Sequence, residues 1–536
     1  MDGEASPHGI AIVNTRIWTG DPTRRWVDAL LTDGERISVI GSSAEVMKRV
    51  TPKTRVIDAR GLFVCPGFID SHIHFLQGGF GLASVQLRDA STRAEFRKRV
   101  AEAAAARPPH TWLRNGDWDH ELWGGELPRK EWIDDVTPNH PVWVNRLDVH
   151  MSLANSAAMR AAGITRDTPD VAGGTIVRDE NGEPTGIFKD NAQALIDRVA
   201  PVPTDAEHDA ALDAAMRYVA SQGVTSVHHM GTWNDLGVFE RAHAAGRLAT
   251  RLYAAVPIDT WERLRDRVAA TGRGDDWLRI GALKGFVDGS LGSHTAAMLE
   301  PFTDAPDDRG LFVNAPEDLY RWTRDADAAG LHMIVHAIGD LAIRTQLDVY
   351  EKVAIENGAR DRRFRIEHAQ HLDWRDVARF AKLRVIASVQ PYHAIDDGRW
   401  AERVIGPERA KLTYAFRSLL DTGARLALGS DWPVAPPTPL EGIYAAATRR
   451  TLDCRNPSGW IPEQRITVEE ALRGYTADAA FASFEEGVKG TLARGKLADF
   501  VLIDRDITRI PPDEVAGARV VMTVAGGRVV HEVRGA

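Results

Sequence analysis

The most informative stretch of the sequence is Pro66-Gly67-Phe68-Ile69-Asp70-Ser71-His72-Ile73-His74, which follows an apolar run at 62–65. Together they predict a buried strand that ends in two histidines. Because residues i and i+2 of a strand point to the same face, His72 and His74 direct two imidazoles to one point, as a metal ion requires. Packed or solvated histidine pairs show the same spacing, so ligands at other strand ends must decide between the two interpretations.

Composition bounds the class of protein. The chain has 536 residues, a length that predicts one large and one smaller domain. Its residues are 44% hydrophobic and 26% charged, which is ordinary for a globular protein. The net charge is −9 and no stretch is strongly basic, so we expect no nucleic-acid partner. No run of about 18 apolar residues occurs, so we expect no membrane span. The two cysteines, Cys65 and Cys454, cannot make a disulfide framework and favour a cytoplasmic location.

Both ends of the chain contain short strand-like segments, within 8–60 and within 499–530. Each set is small for a core of its own, and chain ends often lie close together. We therefore predict one small β-sandwich domain, with residues 1–65 as its first part and 487–536 as its second.

Between these ends, eight apolar strand-like segments alternate with helical segments, which predicts an α/β fold with a closed (β/α)8 barrel in residues 66–486. After the strand that ends at His74, the predicted strands are 224–229, 252–256, 280–287, 333–336, 364–368, 385–390 and 426–431. A plain barrel needs only about 250 residues, and 81–222 contains no strand–helix unit with the right spacing. We therefore predict that 81–222 is an insertion after the first barrel strand, at the mouth where substrate binds.

Four further residues of metal-site chemistry lie toward the ends of predicted strands: Lys284, His336, His368 and Asp431. Taken singly, each has an ordinary explanation, because a histidine after an apolar strand is usually packed and an aspartate before Trp432-Pro433 is typical of a turn. Catalytic groups of such barrels gather at the carboxyl ends of the strands, so the coincidence of all four with the opening histidines indicates a site.

The motifs resemble those of the amidohydrolase superfamily, in particular its branch of YtcJ-like proteins and N-substituted formamide deformylases (amidohydrolase family 3). The matching segments cover nearly the whole chain and are 66–74, 284–293, 336–340, 366–370, 428–433 and 495–501. Within the predicted insertion, 148–150 and 184–190 resemble this branch as well.

The resemblance implies a centre of two divalent metal ions. The more buried ion would be bound by His72, His74 and Asp431, and the second by His336 and His368. Zinc suits imidazole and oxygen ligands, and manganese or iron is the alternative.

The resemblance also implies a carboxylated lysine that bridges the two ions. Lys284 is the favoured bridge because it lies in a barrel strand, and as a carbamate it would no longer be a buried cation. Lys189, in the insertion, is the alternative.

The implied reaction is hydrolysis of a carbon–nitrogen bond in an amide, formamide or cyclic amide of a small molecule. Asp431 would act as general acid and base, and His368 would support the ion that polarises the substrate carbonyl. A lactonase or a decarboxylase on the same centre is the alternative, and a non-catalytic scaffold is a third possibility that would not need these ligands. The resemblance further implies a homodimer.

Loops near the predicted strand ends and the insertion contain candidate substrate contacts, which are Asp288, His294, Gln390, Tyr392, His150 and Trp118. Trp118 is included because aromatic residues are dense in that part of the insertion, which predicts an apolar lid. Asp340 and Glu367 are candidate hydrogen-bond partners of the ligating histidines, although ordinary polar residues after strands fit them equally well.

Overall fold

Eight parallel strands form the centre of the computed structural model, which describes residues 9–533. Each strand pairs with its predecessor along the chain. In order, the strands are Phe68–Ile73, Val224–Met230, Arg251–Pro257, Leu278–Phe286, His332–Ala337, Arg365–His368, Ile386–Val389 and Arg425–Leu428. They are almost entirely buried, as expected for parallel strands covered on both faces.

The first and last strands meet, so the barrel is nearly closed. The backbone N–H of Asp431 donates to the carbonyl of His72 at 2.7 Å. One residue earlier, the N–H and hydroxyl of Ser430 donate to the Asp70 carboxylate at 2.9 and 2.5 Å. Closure therefore relies on side chains from the motif that opened the sequence.

Helices cover the outside of the barrel. The principal ones are Phe75–Gly81, Asp205–Ser221, Trp233–Ala244, Trp261–Thr271, Pro316–Ala328, Asp340–Glu356, Trp374–Leu383, Phe416–Asp421, Pro439–Thr448, Val468–Gly474 and Ala477–Ala482. Asp205–Ser221 shows why they form: Thr204 and Glu207 make a capping box, and Leu212, Met216 and Val219 lie along one buried face.

This helix lies within the range 81–222 that we predict as inserted. Its buried face belongs to the hydrophobic core of the barrel, and it leads directly into the second strand. The inserted structure therefore ends before Asp205. The sequence did not reveal this barrel helix because the helix is polar and rich in alanine.

The rest of the inserted segment forms a five-stranded sheet with helices Arg93–Ala105, Ser156–Ala162 and Ala194–Asp197. The strand order is Gly174–Arg178, Pro184–Asp190, Met151–Ala154, Val142–Asn145 and Leu113–Arg114. The first two strands form the hairpin expected from Asn181-Gly182, with Gly182 at φ 78°.

The two ends of the chain form a second, smaller body of β-sheet. One sheet combines Trp26–Val27, Arg16–Trp18 and Phe63–Pro66 with Phe500–Ile503, Val520–Ala525 and Arg528–Glu532. The other contains Arg36–Gly41, Ala29–Asp33, Gly9–Val13 and Thr54–Asp58, and helix Ser43–Met47 packs beside it. A shared apolar core that includes Ile12, Leu30 and Phe500 joins the two sheets.

The predicted fold class, a (β/α)8 barrel with a β-sandwich from both ends and an insertion after the first strand, is confirmed. The domain bounds at 65/66 and 486/487 stay predictions, and residues 1–8 and 534–536 lie outside the described part. Within residues 9–533, every helix is too short or too polar to cross a membrane.

Substitution Gly78→Ala tests the packing behind the eighth strand. An added Cβ at Gly78 would lie 2.3 Å from the ring of Trp432. We expect a net loss of about 1–3 kcal/mol in unfolding free energy, because overpacking outweighs the roughly 1 kcal/mol that alanine gains in a helix. Denaturant unfolding measures the effect.

Gly237→Ala is the matched control, because this helical glycine has no atom within 4 Å of the added Cβ. It should stabilise the protein by up to about 1 kcal/mol. Equal shifts in both variants would contradict the packing argument.

Candidate metal centre

Three predicted ligands from the first and eighth strands converge on one point. Asp431 Oδ1 lies 3.3 Å from Nε2 of His72 and 3.3 Å from Nε2 of His74. The ligand atoms of the three residues all lie within 4.8 Å of one another. Two imidazoles and a carboxylate at this spacing suit a divalent ion such as zinc.

Further imidazoles extend this group. The ring of His368 lies 4.8 Å from that of His72 and 4.6 Å from that of His336, measured between centroids. His368, His393 and Asp431 form a second group whose ligand atoms could hold an ion, so Asp431 is shared by both groups. His368 and Asp431 both have positive φ, 71° and 63°, a strained conformation that often marks functional positions.

A buried chain of hydrogen bonds orients His72. Its Nδ1–H donates to Glu367 Oε2 at 2.5 Å, and Glu367 accepts two bonds from the Arg365 guanidinium at 2.8 and 2.9 Å. Although burial acts to raise it, the charge of Arg365 and the bond from His72 lower the pKa of Glu367 to about 2. An ionised carboxylate only accepts, so it keeps a hydrogen of His72 on Nδ1 and leaves Nε2, which is directed toward Asp431, as the ligand atom.

The other two histidines are held in comparable ways. His368 Nδ1–H donates to Gln390 Oε1 at 2.8 Å, which leaves Nε2 as the ligand atom. His336 Nε2–H donates to the Gly289 carbonyl at 2.9 Å, which leaves Nδ1. Second partners of this kind fix both the ring orientation and the tautomer of a metal-binding histidine.

Burial sets the charges of these groups. It lowers the pKa of His74, and lowers those of His336 and His368 well below their usual range, so these imidazoles are neutral near pH 7. For Asp431, burial acts to raise the pKa, but the neighbouring His72 and His74 hold it well below its usual range. Neutral imidazoles and an ionised carboxylate are the states that bind metal ions.

Lys284 lies beside these ligands. Its Nζ is 3.4 Å from His72 Nε2, and within residues 9–533 no carboxylate forms an ion pair with it. Burial lowers the pKa of Lys284 to about 8. Lys189, the alternative bridge, instead donates to the Ser293 carbonyl at 2.7 Å.

The buried oxygen Asp431 Oδ1 shows that these residues fit a metal ion. No hydrogen-bond donor satisfies this atom in the described part of the chain. Nε2 of His72 lies 3.3 Å from it, so one cation could contact both atoms. A buried acceptor without a partner costs about 1–3 kcal/mol, and a bound cation would remove that cost.

The centre opens into a cleft between the barrel and the insertion. From the barrel, the lining includes His336, His368, Gln370, His393, Asp396, Asp397, Trp400 and Asp431. The insertion contributes Arg146, Asp148 and His150. Asp148 also accepts hydrogen bonds from Ser290 and Ser293, at 2.5 and 3.0 Å, which ties the insertion to the loop after the fourth strand.

The predicted substrate contacts divide into two groups. His150 lines the cleft, with its ring 5.0 Å from that of His336. Gln390 is occupied in orienting His368, and Asp288 accepts three backbone N–H groups while burial raises its pKa to about 7. Both residues therefore support ligands or loops and do not face the cleft.

The remaining predicted contacts lie away from the cleft lining. Trp118 is fully buried in the core of the insertion and donates to the Val144 carbonyl, so the aromatic density there reflects packing. His294 is paired with Asp304 at 3.0 Å. Tyr392 lies on the helix Pro391–Asp397 and is absent from the residues that line the cleft.

The structure gives some residues roles that the sequence did not indicate. Asp340 accepts hydrogen bonds from the backbone N–H groups of Leu299 and Leu341 and does not contact a metal-binding histidine. The sequence predicted no role for Arg365. Arg365 and Glu367 are i and i+2 of a buried strand and therefore share a face, a pattern that indicates a charged pair. Arg146 and Asp397 come into the cleft only through tertiary structure.

The fold and these residues define the class: a (β/α)8 barrel with a histidine and aspartate metal centre at its mouth. The chain belongs to the amidohydrolase family, whose profile matches residues 55–531. Members of this family are metal-dependent hydrolases.

Individual relatives agree with this assignment. The chain is 40% identical to Protein LONG AFTER FAR-RED 3 of Arabidopsis thaliana, over 97% of this chain and 91% of that protein. It is 32% identical to the putative amidohydrolase YtcJ of Bacillus subtilis, over 98% and 99% of the two chains, and 29% identical to the N-substituted formamide deformylase of Arthrobacter pascens, again over 98% and 99%. Among solved structures, an uncharacterized metal-dependent hydrolase from Pyrococcus furiosus aligns with a TM-score of 0.74 at 29% identity, covering 94% and 100% of the chains.

Glu367→Gln tests the buried chain behind His72. Because the neutral amide no longer fixes the His72 tautomer, we expect about 10–100-fold weaker metal affinity. Competition with a chelator measures the affinity, and circular dichroism checks folding.

Asp340→Asn is the matched control, since Asp340 also follows a barrel strand but accepts only backbone N–H groups. Its metal affinity should stay at the wild-type value. An equal loss in both variants would mean that the effect is one of general stability.

Proposed function

We propose that this protein hydrolyses a carbon–nitrogen bond in an amide, formamide or cyclic amide of a small molecule. The observation that carries the proposal is the convergence of neutral imidazoles and one ionised carboxylate on a cleft. The name of the Arthrobacter relative, an N-substituted formamide deformylase, favours formamides within this class.

We assign His72, His74 and Asp431 to one divalent ion and His336 and His368 to a second, with zinc as the first candidate. Bound ions would supply Lewis-acid chemistry, which polarises a carbonyl and acidifies a water molecule. His393, in the second group with His368 and Asp431, is an additional candidate ligand.

Asp431 is the proposed general base and acid. Its carboxylate accepts a proton from the attacking water as the new carbon–oxygen bond forms. The same carboxylate returns that proton to the leaving nitrogen as the carbon–nitrogen bond breaks. Its ionised state and its position in the cleft suit the first of these transfers.

His368 supports the same reaction from the sixth strand. Gln390 holds its Nδ1, so its Nε2 has one defined direction in a cleft-lining position. Arg146, Asp148 and His150 from the insertion form the facing wall and are the proposed contacts for the polar part of the substrate.

Lys284 is the proposed bridging residue, in carboxylated form. With its pKa near 8, a useful fraction of the buried amine is unprotonated and can combine with carbon dioxide. The resulting anion would compensate the charge of two divalent ions beside His72. Lys189 is disfavoured because its ammonium group already donates to Ser293.

Asp431→Asn should lower kcat by about 10²- to 10⁴-fold while KM changes little, because the base is lost and the cleft is kept. Turnover is measured on a panel of formamides, N-acyl amino acids, cyclic imides and lactones, with metal content determined for each preparation. Chelation of the wild-type protein should abolish turnover. Turnover of lactones alone would refute the carbon–nitrogen assignment.

Lys284→Ala should lose activity, and a short carboxylic acid such as acetate or propionate should restore part of it by occupying the place of the carbamate. Native mass spectrometry of the wild-type protein should show the added mass of carbon dioxide. Lys189→Ala is the control and should remain active. Loss of activity in Lys189→Ala, with Lys284→Ala active, would transfer the bridge to the insertion.

A further inference from the structure

A second cavity lies at the opposite end of the barrel from the metal centre. It is formed where the strands Arg251–Pro257, Leu278–Phe286 and His332–Ala337 begin, and it holds about 730 Å³ of empty space. Arg279 in this cavity and Lys284 at the centre belong to the same strand, about 16 Å apart at the usual rise per residue. A ligand in this cavity would therefore not touch the metal centre.

Three guanidinium groups line the cavity. The side chain of Arg279, on a barrel strand, forms neither a hydrogen bond nor an ion pair within residues 9–533. Arg273 donates only to backbone carbonyls, those of Gly281 at 3.4 Å and Gly330 at 2.7 Å. Arg360 is the one member with a carboxylate partner, Asp327 at 3.3 Å.

The nearby carboxylates do not balance these charges. Asp327 is shared with Arg362 at 3.0 Å. Asp361, which also lines the cavity, pairs with Arg363 at 3.0 Å.

Two acidic residues that precede the fourth strand are also engaged elsewhere. Asp275 pairs with His243 at 2.9 Å, and Asp276 pairs with Arg36 at 2.8 Å. The cavity therefore carries an excess of positive charge and of unused N–H donors.

The other polar residues of the cavity do not use these donors. The Tyr253 hydroxyl donates to His332 Nδ1 at 2.9 Å, and His332 Nε2–H donates to the Arg363 carbonyl at 2.7 Å. Both side chains are thereby satisfied without accepting a bond from Arg273 or Arg279. Leu331 and Phe484 supply an apolar part of the wall.

We propose that this cavity binds a phosphate group, either as free phosphate or as part of a small phosphorylated molecule. Guanidinium groups present planar pairs of N–H donors that match the oxygens of phosphate, and burial strengthens such charge-assisted bonds. The protein has an overall charge of −9, so non-specific attraction of anions is not expected, and the local excess of positive charge at Arg273 and Arg279 is specific to this cavity.

Calorimetric titration of the metal-loaded protein with inorganic phosphate, at physiological ionic strength, tests the site. Arg279→Gln should weaken binding by at least about tenfold, the effect of losing a charge-assisted hydrogen bond, and Arg279→Lys should lie between this variant and wild type. Arg267→Gln is the matched control, since Arg267 is half-exposed and pairs with Glu240. Binding of phosphate to the metal centre would be the same in all four proteins.

Glycerol phosphate distinguishes the two sources of the group. Tighter binding than inorganic phosphate, lost in Arg279→Gln, would assign the cavity to a phosphorylated molecule, whereas equal or weaker binding would assign it to free phosphate. Thermal unfolding without ligand checks that Arg279→Gln is folded. Equal affinity of wild type and Arg279→Gln, or no binding to wild type at millimolar phosphate, would overturn the proposal.

Discussion

The contact between the first and eighth barrel strands is the constraint on which the site depends. Ser430 and Asp70 lie 360 positions apart in sequence, yet the Ser430 hydroxyl donates to the Asp70 carboxylate, and the next residue donates its N–H to the His72 carbonyl. The same contact that nearly closes the barrel brings Asp431 to within 3.3 Å of the His72 imidazole. Because closure and site assembly use the same residues, the centre can exist only in the folded barrel.

The interior below this contact is unusually polar for a barrel. Arg365 reaches Glu367, the Ser71 carbonyl, the Ser388 hydroxyl and His228, all within 3.0 Å. Burying such charges is costly unless each is paired, and here the guanidinium and the carboxylate satisfy one another. The arrangement gives up the apolar filling of an ordinary barrel and gains a fixed tautomer at His72.

Sequence periodicity was sufficient for the barrel and insufficient for the insertion. Parallel strands covered on both faces are continuous apolar runs, and all eight were recognisable for that reason. The helix Asp205–Ser221 was hidden because alternating Ala, Asp and Glu give it a weak apolar stripe. Trp118 illustrates the opposite error, since an aromatic residue in a loop-rich segment proved to be core and not a wall of the cleft.

The sequence by itself determined the strand–helix alternation, the residue types at the strand ends and the hairpin at Asn181-Gly182, because each depends on local spacing or turn chemistry. Only the tertiary structure decided that Glu367 orients His72, that Gln390 serves His368 and that Lys284 lies beside the centre while Lys189 turns to Ser293. These pairings join residues from different strands and loops, and their distances follow from the register and closure of the barrel. Local sequence does not specify these distances, because they depend on which strands and loops become neighbours in the folded barrel.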